Sequence, residues 1–181
     1  MGFRNYVIIL ILLDTGMRVS ELCGLKVSDV QDRYVRVFGK GRKEREIGLH
    51  PEVSKLLRKY VHKYRKPADL DEMALFIGRR GEPLQYAGIR SILDDVKRAS
   101  GIERVRVSAH TFRHTFAKFY LERGGEVFKL SREMGHSTIQ VTELYLKDYR
   151  SSEARREHTN YSPIGEVNFP RKGKKTRPKN D

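Results

Sequence analysis

The stretch "HTFRHTF" at 110–116 holds two imidazoles and a guanidinium within seven positions. In a helix, His110, Arg113 and His114 fall at i, i+3 and i+4 and share one face. Such a face could ligate a metal through two histidines one turn apart. It could be a satisfied structural cluster. Or it could cradle an anion, the guanidinium gripping two oxygens while imidazoles move protons. A metal is the poorest fit. Thr111, Phe112 and Arg113 fill the places where a helical zinc motif carries its glutamate, and a guanidinium between two ligands repels a dication. No carboxylate or cysteine cluster completes a ligand set, so neither metal nor cofactor is expected.

Four other places favour the anion. "TGMRVSEL" puts Arg18 just after a tight turn, with Glu21 three residues on and able to hold it. "GKGRK" lifts Lys40 on a hairpin tip between glycines that allow close backbone approach to a ligand. "GHS" sets His136 just before a helix start, where backbone N–H groups attract anions. Tyr145 follows nine residues later in "TELYLKDY". Singly, each has a plainer account: a surface ion pair, a solvated turn lysine, a capping histidine, a core tyrosine. Their joint occurrence in this order favours the anion site.

Helices must position most of these groups. An apolar helix over 3–14 stops at "TG" 15–16, with Gly16 as left-handed C-cap, and "MRVSELCGL" restarts a short one. "KVSDV", "YVRVF" and "REIGL" read as three short strands, the last two joined by the "GKGRK" tip. Pro51 opens a helix reaching about Arg65, "ALFIG" is extended, and "RRGEP" turns. Further helices are expected over 85–99, from Ser108 as N-cap to "GG" 124–125, and from Val127 to about Met134. Phe112, Phe116 and Phe119 have the spacing of a buried stripe on the helix carrying "HTFRHTF". Another helix starts at Thr138, with Ser137 and Gln140 as its capping box. The expected class is α+β, mainly α, with a small three-stranded antiparallel sheet. No Rossmann or Walker pattern is present, and no internal repeat.

The bulk composition agrees with a polyanionic partner. The 181 residues carry a formal net charge of +14, which points to nucleic acid before membrane. The tail "RKGKKTRPK" at 171–179, less Asp181, accounts for five of those charges and leaves +9 on residues 1–170. One cysteine, Cys23, excludes an intrachain disulfide and suits a reducing interior. "YVIILILL" at 6–13 is too short to span a bilayer.

The ordered set "TGMRVSEL", "GKGRKEREIGL", "AHTFRHTFA" and "MGHSTIQVTELY" resembles the catalytic domain of the tyrosine recombinases, the family of the Xer recombinases, the lambda-type integrases and Cre. The match covers roughly residues 5 to 149. It implies the DNA breaking-rejoining fold and a DNA strand transferase that needs no metal. By position, Arg18 is the first family arginine, Lys40 the hairpin lysine, His110 and Arg113 the His-x-x-Arg pair, His136 the second histidine and Tyr145 the nucleophile. Glu21 and His114 take supporting places. Arg42, Lys43 and Arg45 on the hairpin are expected to meet DNA.

The implied reaction is attack of the tyrosine oxygen on a phosphodiester, giving a 3′-phosphotyrosyl link and a 5′-hydroxyl, so that rejoining needs no ATP. The resemblance further implies double-stranded DNA as partner, and a tetramer on DNA coupled by exchanged C-terminal tails. Without DNA a monomer or weak oligomer is expected. Residues 1–150 form the implied catalytic domain. Residues 151–181 form a tail with a short helix about 151–158, then a basic segment expected to be disordered alone. Family members carry an N-terminal core-binding domain, and here Met1 falls almost inside the first catalytic-domain helix, so the chain reads as lacking it. The setting expected is cytoplasmic, nucleoid-associated or of viral or plasmid origin. The rival readings are a type IB topoisomerase-like nicking-closing enzyme and a non-catalytic DNA-binding accessory protein derived from an integrase.

Overall fold

The apolar run near the N-terminus folds as helix α1, Phe3–Thr15, and buries Val7, Ile8, Ile11, Leu12 and Thr15 along one side. These positions repeat with helical spacing, which is why a run apolar nearly all round still has a defined inner face. Our computed structural model describes residues 2–39 and 44–135. Gly16 ends α1 in the left-handed conformation (φ 57°), its N–H bonded to the Leu12 carbonyl. No other residue suits Gly16: a Cβ there would lie 2.5 Å from Cδ1 of Phe116. Gly16→Ala is expected to cost roughly 2–3 kcal/mol, combining left-handed strain with overpacking, as read from the urea midpoint.

Helix α2, Val19–Gly24, follows at once. The chain then makes a single 3₁₀ turn, Val27–Asp29. Strands β1, Tyr34–Phe38, and β2, Glu44–Gly48, pair antiparallel with Val35 opposite Ile47 and Val37 opposite Arg45. The described sheet therefore has two strands, not three. "KVSDV" is the segment that differs. The Asp29 carboxylate accepts from the Lys26 N–H at 2.9 Å, and Asp29 N–H donates to the Lys26 carbonyl at 3.1 Å. Such local side-chain capping competes with sheet pairing. Only the segment's ends make bridges, Lys26 to Ala74 and Val30 to Val35. The segment "ALFIG", expected to be extended, bends at Leu75 and Phe76 between isolated bridges at Ala74 and Ile77, and lies beside the Lys26 end with Leu75 N–H donating to the Leu25 carbonyl at 2.7 Å.

Helix α3, Pro51–Lys59, starts on its proline and continues as a π turn, Tyr60–Tyr64. Helix α4 is Tyr86–Ser100, ended by left-handed Gly101. Helix α5, Ala109–Glu122, is capped by the Ser108 hydroxyl, which accepts from Thr111 N–H at 3.2 Å. Helix α6 is Val127–Met134. The core gathers α1, α2, both strands, α3, α4 and the 75–84 segment, with Tyr60 stacked on Phe76. Helix α1 packs on α5 and α3, while α6 packs on β2 and α5.

The buried face of α5 is not the phenylalanine stripe. Arg113, Ala117 and Leu121 are its buried positions, while Phe112 and Phe116 are half-buried and Phe119 is exposed. Phe116 packs against Gly16, at the end of α1. Among the described residues, no helix is long and apolar enough to cross a membrane.

Candidate active site

The site is organised around the C-terminal end of α6. Gly135 closes that helix in the left-handed conformation (φ 63°), leaving the last carbonyls without helical partners. Three arginines from separate parts of the chain supply the donors. Arg113 Nη2 donates to the Met134 carbonyl at 2.6 Å, and its Nη1 donates to the Gly16 carbonyl at 2.7 Å. Arg18 Nη2 donates to the Gly135 carbonyl at 3.2 Å, with a longer contact of 3.4 Å from Nη1 to Met134. Arg45 Nε donates to the Glu133 carbonyl at 2.9 Å. Positive charge belongs at a helix C-terminus, where the carbonyl dipoles add up to a partial negative charge.

Glu21 ties two of these arginines together. Its side chain is 3% exposed and accepts both Arg45 Nη1 and Arg45 Nη2 at 2.9 Å, a bidentate fork. It also accepts the Arg18 backbone N–H at 2.9 Å and Arg18 Nη1 at 3.1 Å. Burial pushes the carboxyl's pKa up. The bonds from Arg45 and Arg18 more than offset this, so it ends below the usual 4.5. Arg18 is therefore positioned twice, by the turn after Gly16 and by the glutamate one helical turn on. Its side chain stays 43% exposed, whereas residue Arg113 is only 7% exposed.

His110 and His114 lie on the exposed side of α5, their Nε2 atoms 2.6 Å apart and their rings edge to face. One Nε2 donates and the other accepts, the roles set by which tautomers are present. Burial lowers the His114 pKa below 6.5, and the neighbouring His110 and Arg113 charges lower it further. Among the described residues no group of three or more His, Cys, Asp or Glu side chains gathers around a metal position.

The structure thus brings Arg18, Glu21 and Arg113 together and places the histidine pair on the helix that carries Arg113. Lys40, Arg42, Lys43, His136 and Tyr145 lie outside the described residues, as do Ser137, Gln140 and the tail beyond 150. Arg45 differs from its expected outward place on the hairpin. Its side chain is 15% exposed and its guanidinium is engaged by Glu21 and the end of α6. Strand alternation carried the signal for this: Arg45 and Ile47 are two apart, and Ile47 is buried. Gly135 also escaped notice. A Cβ there would stand 2.7 Å from Arg45 Cζ, so the arginine can cross the helix end only over a glycine.

Comparison with known proteins agrees with this frame. The chain is 38% identical over 144 residues to "Tyrosine recombinase XerC" of Corynebacterium glutamicum, covering 78% of this chain and 46% of that protein. It therefore spans about half the length of such relatives. The crystal structure of XerA recombinase superposes with a TM-score of 0.74 at 30% identity, over 90% of this chain and 57% of that one. The Tn1549 transposon integrase, solved in complex with a circular intermediate DNA, gives a TM-score of 0.70 at 27% identity, over 87% and 58%. The model of the phage integrase family matches residues 1–152. With the arginine-bearing turn, the hairpin and the His-x-x-Arg helix assembled at one helix end, the chain belongs to the phage integrase family of tyrosine recombinases.

Proposed function

We propose that this chain is the catalytic part of a site-specific DNA recombinase that cuts and rejoins double-stranded DNA through a 3′-phosphotyrosyl intermediate. The observation that carries the reading is the convergence of Arg18 and Arg113 on the Met134 carbonyl, with a histidine pair on the same helix as Arg113. Two planar guanidiniums fixed at one point suit the non-bridging oxygens of a phosphodiester and the charge that builds on phosphorus during displacement.

In this reading Tyr145 Oη attacks phosphorus while the bond to the 5′-oxygen breaks. A tyrosine with a pKa near 10 must lose its proton during that step, and His110 takes it, held in orientation by His114. Lys40 gives a proton to the departing 5′-oxygen, and His136 donates a hydrogen bond to the phosphate. Arg42 and Lys43 contact the DNA backbone. Residues 1–150 act as the catalytic domain. The 151–181 tail couples protomers in a tetramer on DNA, with monomer or weak oligomer in its absence. A Xer-like relative of such close sequence and a net charge of +14 support work on chromosomal, plasmid or viral DNA in a cytoplasmic compartment.

The test is covalent capture. Incubating the protein with a randomised library of nicked duplexes, denaturing, and sequencing the attached strands should yield adducts with a shared sequence. Peptide mass analysis should place the phosphodiester on Tyr145. A protein that binds the library but forms no adduct would overturn the proposal in favour of an accessory DNA-binding role. Adducts without sequence preference would favour a topoisomerase-like nicking and closing activity.

A further inference from the structure

We infer that Arg45 is a positioning residue for strand cleavage, setting the direction of the Arg18 guanidinium through Glu21 and locking the end of α6 to strand β2. The inference rests on the catalytic reading above and adds to it a residue that touches no DNA.

Three observations converge. The first is the fork: both Arg45 Nη atoms bond the two Glu21 oxygens at 2.9 Å, so the carboxylate plane is fixed by a residue of strand β2, outside its own helix. Glu21 then has one orientation in which to receive Arg18, which bonds the same Oε1 at 3.1 Å. The second is the third donor, Nε, on the Glu133 carbonyl, with a longer 3.5 Å contact from Nη2 to Met134. Arg45 thereby holds the helix end on which Arg18 and Arg113 also converge. The third is Gly135, whose missing side chain leaves the space that the guanidinium fills. Lysine cannot reproduce this. It is a point donor, and no single ammonium spans a bidentate carboxylate and a carbonyl with fixed angles.

The inward position also separates two roles that sequence alone confounds. A hairpin arginine facing DNA would add affinity and salt dependence. One facing Glu21 adds neither, and acts on the rate once DNA is bound. A misplacement of about 1 Å at a phosphate-gripping group can cost roughly 100-fold in rate.

The experiment uses a duplex recovered from the covalent capture, nicked to trap the adduct, with wild type, Arg45→Lys, Arg45→Ala, Glu21→Gln and the Arg45→Lys/Glu21→Gln double variant. Single-turnover adduct formation is measured at saturating DNA, and affinity by fluorescence anisotropy. We expect the rate at saturation to fall roughly tenfold for lysine and 100-fold for alanine, with affinity within about twofold of wild type. The double variant should be no slower than the slower single one, since both changes break one linkage. If Arg45→Ala does not fold, the lysine variant and the double variant decide. Weakened DNA binding with an unchanged rate at saturation overturns the inference, as does a rate equal to wild type or a double variant whose losses simply multiply. A wild-type chain that binds DNA without any adduct overturns the catalytic reading itself, a distinct result.

Discussion

Arg113→Lys is expected to lower the rate of phosphotyrosyl adduct formation by roughly 100- to 1,000-fold, the loss seen when one fixed donor to a developing oxyanion is removed. The charge survives this change, so a purely coulombic role would predict little effect. The geometry predicts otherwise. Arg113 is buried, with Nη1 on Gly16 and Nη2 on Met134, bonds of 2.7 and 2.6 Å that lock the guanidinium plane from two directions. Those carbonyls belong to the turn before α2 and to the end of α6. One side chain therefore aligns the segment bearing Arg18 with the end of α6. A lysine ammonium has three donors but no plane, and can satisfy only part of this set. One buried carbonyl is left without its partner at a cost of about 1–3 kcal/mol, so stability should fall along with the rate. Trapped adduct against time at saturating DNA, with urea unfolding of the same preparation, separates the two effects.

Glu21→Ala is expected to lower folding stability by about 2–4 kcal/mol, near the low end for removing one partner of a buried pair. The discount comes from Arg18, whose side chain is 43% exposed and can turn to water. Arg45 cannot do so as freely at 15% exposure, and it would keep its charge beside a cavity. The helix also loses the carboxylate that accepts the Arg18 backbone N–H, a capping contribution of roughly 1 kcal/mol. Glu21 has a pH signature too. Its folded pKa lies below 4.5, so the unfolded chain binds protons more readily over that range. The stabilisation is therefore complete above 4.5 and is lost as pH falls through the lowered folded value. Urea midpoints between pH 3 and 7 should drop more steeply on the acid side for wild type than for Glu21→Ala. Parallel curves would show that the carboxylate is not held as described.

Much of this arrangement was legible along the chain because it is local. Arg18 and Glu21 are three apart, the Ser108 cap adjoins its helix, and left-handed glycines mark the ends of α1, α4 and α6. What stayed hidden depends on distance or on which face wins. Arg45 and Glu21 are 24 residues apart, and although strand alternation sets Arg45 on the same face as buried Ile47, nothing local names the carboxylate it meets. On α5 the aromatic spacing suggested the buried stripe, yet the buried positions are Arg113, Ala117 and Leu121, and Phe119 is 48% exposed. "KVSDV" alternates like a strand, but Asp29 satisfies the Lys26 N–H locally and the segment turns.

In the proposed reaction, the carbonyls at the end of α6 have a consequence for how DNA would be received. Arg113 does not wait as a hydrated ion: the oxygens of Gly16 and Met134 already solvate it, at fixed angles and inside the protein, while half-exposed Arg18 leans on the Gly135 oxygen from the solvent side. When a phosphate arrives, little polar surroundings need to rotate to meet it. The reorganisation that water would demand during phosphoryl transfer has been completed by folding. On the proposed function, stability and catalysis would thus draw on the same peptide groups, and a substitution that loosens the end of α6 is expected to raise the barrier even where it never approaches the scissile bond.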